Sequence, residues 1–251
     1  MEEINDLVGY NNLKIYQNND WFKFSIEAIL LPHFININYD TKEILDICTG
    51  NCPIPIVLST LTKAHITAVE IQKDIYELAK KSIDINKLNE QIDLINDDAM
   101  NLMNKYETDT FDIITCNPPY FKNIEKSTKN LDMHKTIARH EIYIDLSKIC
   151  QLSRKLLKNN GKLALIYPTE RFIEVINEVQ KFNLIPKSIQ FIYPKKNTES
   201  NLFMIECVKN GRQGVKFLDP IIVHEEDNSY TKYIKEIFRM EWFYEINSRI
   251  R

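Results

Sequence analysis

From Lys42 to Val208 the chain alternates short β-branched runs with longer stretches of helical periodicity. Neighbouring parallel strands need a crossover of a dozen or more residues. The alternation therefore predicts an α/β fold, a mostly parallel sheet with helices on both faces. The expected strands are 43–49, 65–71, 92–97, 111–116, 162–167, 188–193 and 202–208, seven in all; the expected helices are 53–61, 73–88, 143–158 and 170–182. Asn159-Asn160-Gly161 reads as a helix stop ahead of a strand. Only residues 194–200 separate the last two strands, too few for a crossover, so these pair antiparallel as a C-terminal hairpin at the sheet edge. The expected organisation is a helical extension over 1–40, with a helix at 25–34 above the ligand mouth. A main domain over 41–220 follows, then a helical tail over 221–251 with an amphipathic segment at 231–246.

The 251 residues suit one α/β domain. The first six residues, Met1 to Asp6, are acidic where a secretion signal is basic, and the apolar run Ala28–Leu31 ends at Pro32, too short for a bilayer. Five cysteines without a CxxC pair read as buried thiols in a reducing compartment. The expectation is a cytoplasmic protein with no membrane segment and no metal, and a monomer. Net charge is −3, which alone argues against a polyanionic partner, but the charge is segregated. Residues 1–119 carry 9 Lys/Arg against 19 Asp/Glu, and residues 120–215 carry 17 against 9. Such a basic half can steer a nucleic acid.

Open α/β sheets bind ligands at the carboxyl ends of their strands. Asp46-Ile47-Cys48-Thr49-Gly50-Asn51 ends the first expected strand of the sheet; Gly50 allows close backbone approach, and Asp46 can position the loop beneath a ligand. Glu70-Ile71 ends the second strand, where a carboxylate can accept from both hydroxyls of a ribose. Asp98-Ala99 follows the third; Asp98, preferred to Asp97, can accept from an adenine amine while the next N–H meets the ring. No basic residue stands where a pyrophosphate would need one, which favours S-adenosyl-L-methionine over a dinucleotide.

After the fourth strand comes Asn117-Pro118-Pro119-Tyr120. An exocyclic adenine amine is a poor nucleophile because its lone pair is delocalised into the ring. Two acceptors set against its N–H bonds, the Asn117 side-chain carbonyl and the Pro118 backbone carbonyl, can draw the nitrogen toward tetrahedral geometry. Pro118 and Pro119 hold that backbone stiff, and Pro118 keeps Asn117 extended. Tyr120 offers a face for stacking the base and Phe121 a second apolar wall. Lys122, Lys126, Lys129 and Lys135, with Arg139, His140 and Arg171, and Lys195 and Lys196 in the hairpin loop, are the expected RNA-facing residues.

This ordered set resembles the bacterial tRNA(Val) adenine-N6 methyltransferases. The likeness extends through Gln17, Phe24-Ser25, Glu27-Ala28 and Leu30-Leu31 before the sheet. It continues in Ala138-Arg139-His140-Glu141, Glu170-Arg171 and Gly214-Val215-Lys216-Phe217 after the motif. The resemblance implies a Rossmann-like class I methyltransferase acting on adenosine 37 of a valine tRNA. It also implies cofactor contacts at Asp46, Gly50, Glu70 and Asp98, and catalysis by Asn117, Pro118 and Tyr120. One departure stands out: the family usually reads Thr-Gly-Asn-Gly-Ile-Ile-Pro, and Cys52-Pro53 here replace Gly-Ile. The expected consequence is a narrowed channel or a forbidden positive φ, with altered cofactor affinity. Three other readings share these residues, of which a DNA adenine methyltransferase would need a larger recognition region than the hairpin and C-terminal tail offer. Glutamine N5-methyltransferases carry the same tetrapeptide but also a substantial N-terminal helical domain, whereas about forty residues precede the first strand of the sheet here. A catalytically silent RNA-binding module is suggested by Cys52-Pro53 alone.

Overall fold

The computed structural model describes residues 2–7, 10, 13–18, 26–118 and 144–239. Strands β1 (Glu2–Asp6) and β2 (Lys14–Asn18) form a separate antiparallel hairpin, followed by helix α1 (Glu27–Phe34). The alternating core is β3 (Glu43–Ile47), α2 (Pro53–Leu61), β4 (His65–Glu70), α3 (Lys73–Ile85), β5 (Ile92–Asn96), α4 (Leu102–Lys105), β6 (Phe111–Cys116), α5 (Leu146–Leu156), β7 (Leu157–Pro168) and α6 (Phe172–Lys181). Strands β8 (Leu184–Lys195), β9 (Leu202–Lys209), β10 (Lys216–Phe217) and β11 (Ile221–His224) and helix α7 (Lys232–Arg239) complete the described chain.

The sheet has nine strands in the order β10–β8–β9–β7–β6–β3–β4–β5, with β11 also pairing along β8. Strands β3 to β7 are mutually parallel, and β9 alone runs against its neighbours β7 and β8. The seven expected strands are all present. The two additional ones, β10 and β11, lie parallel along the outer side of β8. They cover backbone groups that would otherwise leave an open edge.

Two expected segments differ from the structure. The first forty residues are not simply a helical extension: they begin as a hairpin whose second strand turns Ile15 and Gln17 inward, and among their described residues only Glu27–Phe34 is an α-helix. The segment after 220 is not simply a helical tail. Ile221–His224 joins the sheet first, and the helix starts at Lys232, with Ile234, Ile237 and Phe238 buried in the same core cluster as Ile192, Leu202 and Met204. A smaller difference concerns the expected stop at Asn159–Gly161. Helix α5 already ends at Leu156, and residues 158–161 bulge out of the β6–β7 ladder, which pairs Phe111 with Leu157 and then Ile113 with Lys162. Gly161 is needed there because a Cβ would stand 2.9 Å from the Lys158 carbonyl oxygen.

Each strand sends alternate residues to opposite faces. Ile44, Ile66, Ile113, Ala164 and Met204 pack against α1, α2, α3 and α7, whereas Leu45, Ile114, Leu163, Leu165 and Ile205 pack against α4, α5 and α6. The resulting three-layer sandwich exposes its strand ends for chemistry. The chain leaves β3 in one direction, toward β4 and β5, then returns to β6 on the other side of β3. The reversal point, where the loops after two adjacent strands diverge and leave a crevice, therefore lies between the carboxyl ends of β3 and β6. Among the described residues no helix is long and apolar enough to cross a membrane, and none of the His, Cys, Asp and Glu side chains gather in a group of three placed for a metal.

Candidate active site

At the reversal point Asp46 pairs with Thr115 and Ile47 with Cys116, so the loop after β3 and the Asn117-Pro118 segment leave adjacent strands side by side. Adjacent strands lie about 4.8 Å apart, which sets the width of the crevice floor. The two strand ends are also tied by side chains: the Thr115 hydroxyl donates to Asp46 Oδ1. Asp46 is fully buried, and its second oxygen, Oδ2, has no hydrogen-bond partner. Burial pushes the Asp46 carboxyl up to about 7; hydrogen bonds from Thr115 and Thr49 pull against that rise, and the Glu70 charge adds to it.

The loop itself is tightly wound. Cys48, Gly50 and Cys52 have φ of 58°, 60° and 75°. Such left-handed backbone costs an L-residue roughly 1–2 kcal/mol. Cys52 therefore retains the positive φ that the missing glycine was expected to forbid, and its fully buried side chain joins the core beneath α2. Pro53 then takes the first helical position, where no N–H is needed. The Thr49 amide donates to the Val69 carbonyl, and the Cys52 amide to the Thr49 carbonyl. Asn51 Nδ2 donates to the Tyr16 carbonyl at 2.8 Å, clasping β2 to the loop. A Cβ built on Gly50 would meet no atom within 4 Å, so open space stands directly over this glycine.

Glu70, buried at the end of β4, accepts from the Gly50 amide through Oε2 at 3.0 Å and from the Gln72 amide through Oε1 at 2.9 Å. A carboxylate has about four acceptor positions, so it can bridge the two loops and still receive further donors. Ile71 follows at half-buried depth, and Asn96 Nδ2 holds the Glu70 and Ile71 carbonyls. At the end of β5, Asp98 caps a short 3₁₀ turn by accepting from the Met100 amide at 2.9 Å through Oδ1, with Ala99 buried behind it. Asp97 is committed elsewhere: it accepts from Asn101, from Lys105 at 2.6 Å and from the Asp98 amide, with Lys105 chiefly holding its carboxyl below the usual range.

Of the other expected residues, Asn117 is half-buried and Pro118 buried at the mouth of β6. Arg171 follows β7 at the same sheet edge, with its guanidinium paired to Glu174 and 5.1 Å from the Tyr167 ring. Because β8 runs parallel to β7 through the intervening β9, the turn carrying Lys195 and Lys196 stands at this edge too. Lys195 donates to the Glu226 carbonyl, and Lys196 is exposed. Pro119, Tyr120, Phe121, Lys122, Lys126, Lys129, Lys135, Arg139 and His140 lie outside the described residues. Sequence reasoning missed Thr115, whose importance appears only when strand register places it against Asp46.

Carboxylate acceptors from Asp46, Glu70 and Asp98 line three strand ends, and open space stands over Gly50. A family model described as RNA methyltransferase matches residues 24–182. The chain belongs to this RNA methyltransferase family. Among curated relatives of this family member is the tRNA1(Val) (adenine(37)-N6)-methyltransferase of Trichodesmium erythraeum, 28% identical over 64% of this chain and 67% of that protein. The enzyme of the same name from Cytophaga hutchinsonii is 24% identical over 94% of this chain and 97% of its own length. Among solved structures, a predicted O-methyltransferase from Agrobacterium tumefaciens superposes with a TM-score of 0.67 at 18% identity, covering 84% of this chain and 96% of that one. Geranyl diphosphate C-methyltransferase from Streptomyces coelicolor, solved with S-adenosyl-L-homocysteine, gives 0.54 at 8% identity over 73% and 76% of the two chains. The fold of this RNA methyltransferase family member is thus the Rossmann-like methyltransferase fold.

Proposed function

We propose that the chain transfers a methyl group from S-adenosyl-L-methionine to N6 of adenosine 37 in the anticodon loop of a valine tRNA. The observation that carries this reading is the pairing of β3 with β6, which sets the Gly50 loop beside Asn117-Pro118 at the reversal point. Family membership and the shared name of the curated relatives support the substrate. When bound, the cofactor supplies an electrophilic methyl group on sulfur. Gly50 leaves room for it, Glu70 accepts from the ribose hydroxyls, and the free oxygen of Asp98 accepts from the cofactor's adenine amine. The commitment of Asp97 to Lys105 supports Asp98 in that role. Asn117 and Pro118 accept from the target amine, and Tyr120 stacks on the target base. A base in a loop is already partly unstacked, so presenting it is less costly than extruding one from a duplex.

The test is to incubate the enzyme with tritiated cofactor and total tRNA from cells lacking this modification, then map the labelled nucleoside. Label at N6 of adenosine 37 is expected. Unlabelled tRNA, or, in a parallel reaction with a purified release factor, label on its glutamine and none on tRNA, would overturn the reading.

Two further outcomes follow from the site. Gly50→Ala should melt within several degrees of wild type, because the added methyl meets no protein atom and only left-handed backbone strain of about 1–2 kcal/mol is incurred. Its affinity for S-adenosylhomocysteine should fall at least about tenfold, a difference of about 1.4 kcal/mol. Comparable small changes in both would place the ligand elsewhere. Replacing Lys195 and Lys196 together with Ala should weaken tRNA binding and flatten the slope of log Kd against log salt by about 1–2 units. An unchanged slope would remove the β8–β9 turn from the RNA footprint.

A further inference from the structure

All five cysteines lie in described segments, and four of them are buried. Cys48 is the exception, half-exposed where β3 opens into the Gly50 loop. Its side chain does not point where a continuing strand would send it. Ile47 faces the α4–α6 layer, so further alternation would turn Cys48 toward α1 and α2. The left-handed backbone at Cys48, with φ of 58°, breaks that alternation. The side chain packs instead against the cluster that holds Ile47 and Cys116.

Cys116 is the cross-strand partner of Ile47 and shares its face. A strand spacing of about 4.8 Å and a rise of about 3.3 Å per residue put the Cys48 and Cys116 Cα atoms roughly 6 Å apart, within the span a disulfide bridges. The two thiols are already in hydrogen-bond contact. The other three cysteines are placed for packing. Cys52 lies in the opposite layer, where the Thr49 hydroxyl donates to its sulfur; Cys150 on α5 and Cys207 on β9 are buried in the core. Packing asks only for a small apolar side chain at 48 and 116, so what this pair adds is chemistry. A half-exposed thiol touching a buried one is the arrangement of a sensor cysteine and its resolving partner.

We propose that Cys48 and Cys116 form a dithiol modified by peroxide, and that the resulting disulfide across β3 and β6 shuts the methyl-transfer site. In the first step the Cys48 thiolate attacks one peroxide oxygen. The O–O bond breaks, hydroxide leaves, and the sulfur becomes a sulfenic acid. The Cys116 sulfur then displaces the sulfenic hydroxyl, and its own proton leaves with that group as water. Two thiols and one hydrogen peroxide thus give one disulfide and two waters; a dithiol reductant reverses the change by exchange. Burial pushes the Cys116 thiol well above its usual range, which keeps it protonated and leaves the first attack to Cys48. The new bond draws together the segments that follow, Thr49-Gly50 on one strand and Asn117-Pro118 on the other. The loss of activity rests on the methyltransferase reading, because a displacement of about 1 Å between reacting groups can cost about 10²-fold in rate.

The test treats reduced protein with hydrogen peroxide and blocks the remaining thiols with iodoacetamide. Cross-linked peptides are then sequenced by tandem mass spectrometry, and single-turnover methylation of tRNA is timed in parallel. A Cys48–Cys116 link is expected, with a methylation rate lower by at least about tenfold and recovery on adding dithiothreitol. Cys48→Ala and Cys116→Ala, each compared with its own reduced form, should lose less than about twofold under the same treatment. A Cys116–Cys150 link, oxidation of Cys48 without a link, or a link that leaves the rate unchanged would overturn the proposal. Reduced wild type that methylates no tRNA would instead overturn the methyltransferase reading and the gating with it, while the peptide map decides the dithiol independently.

Discussion

Asn117→Ala is expected to lower the single-turnover rate by about 10²–10³-fold, which corresponds to about 2.7–4 kcal/mol of barrier, while changing S-adenosylhomocysteine affinity less than about twofold. The asymmetry follows from when the Asn117 carbonyl is needed. An adenine amine conjugated to its ring is planar, and its N–H groups are adequately served by water. As the nitrogen attacks it pyramidalises and gains positive charge, and acceptors already fixed in place then strengthen their hold. An interaction realised chiefly in the transition state alters rate more than binding. The β6–β7 ladder pairs Cys116 with Leu165 and ends before Asn117, so truncating this side chain removes none of the ladder that holds the strand. Thermal melting should therefore remain close to that of wild type. A rate loss below about tenfold, or an equal loss in cofactor affinity, would show that Asn117 only shapes the loop.

The sheet was legible because its signals are local. Each of the runs at 43–47, 65–70, 92–96 and 111–116 contains β-branched residues in a short apolar-rich stretch, and the distances between them leave room for crossovers. The hairpin of β8 and β9 followed from loop length alone. The N-terminal hairpin was misread because its residues, Glu2–Asp6 and Lys14–Asn18, are polar and half exposed. Its stability comes from α3 and the Asn51 clasp, and neither partner is near in sequence. Strand β11 was hidden for a similar reason: four residues carry too short a pattern, and only the open edge of β8 makes them a strand.

Within the site, residue types at strand ends were readable, but their couplings were not. Glu70 was expected as a ligand for ribose, yet in the fold it also pins the Gly50 amide, which joins the first and second loops mechanically. Cys52 shows the opposite limit. The replacement of glycine suggested a loop unable to turn, but burial of the Cys52 side chain beneath α2 offsets the strain of its left-handed backbone. Such compensation depends on three-dimensional packing that no short window of sequence contains.

Asp46→Asn is expected to stabilise the ligand-free protein increasingly as pH rises from about 4 to about 7, with no further change above that range. Burial lifts the Asp46 carboxyl from 3.8 to about 7, so the folded state holds a proton that the unfolded chain has already released. The contribution of the protonated acid to stability is complete below the unfolded value and is lost as pH climbs through the folded one. Integrated over that window it amounts to on the order of 4 kcal/mol. The facing groups are Glu70 on β4, Cys52 at the loop end and Cys116 on β6; burial pushes both thiols upward, so they stay uncharged throughout. Melting wild type and variant at pH 5 and pH 8 reads the effect directly, and an identical difference at the two pH values would refute it. A ligand that sets an ammonium beside Asp46 would reverse the balance by favouring the ionised form. Affinity for S-adenosylhomocysteine should then weaken as pH falls below about 7, by up to about tenfold per unit, whereas 5′-methylthioadenosine should bind equally across the range. The same carboxylate that strains the empty fold would thus serve as the charge partner of the filled one.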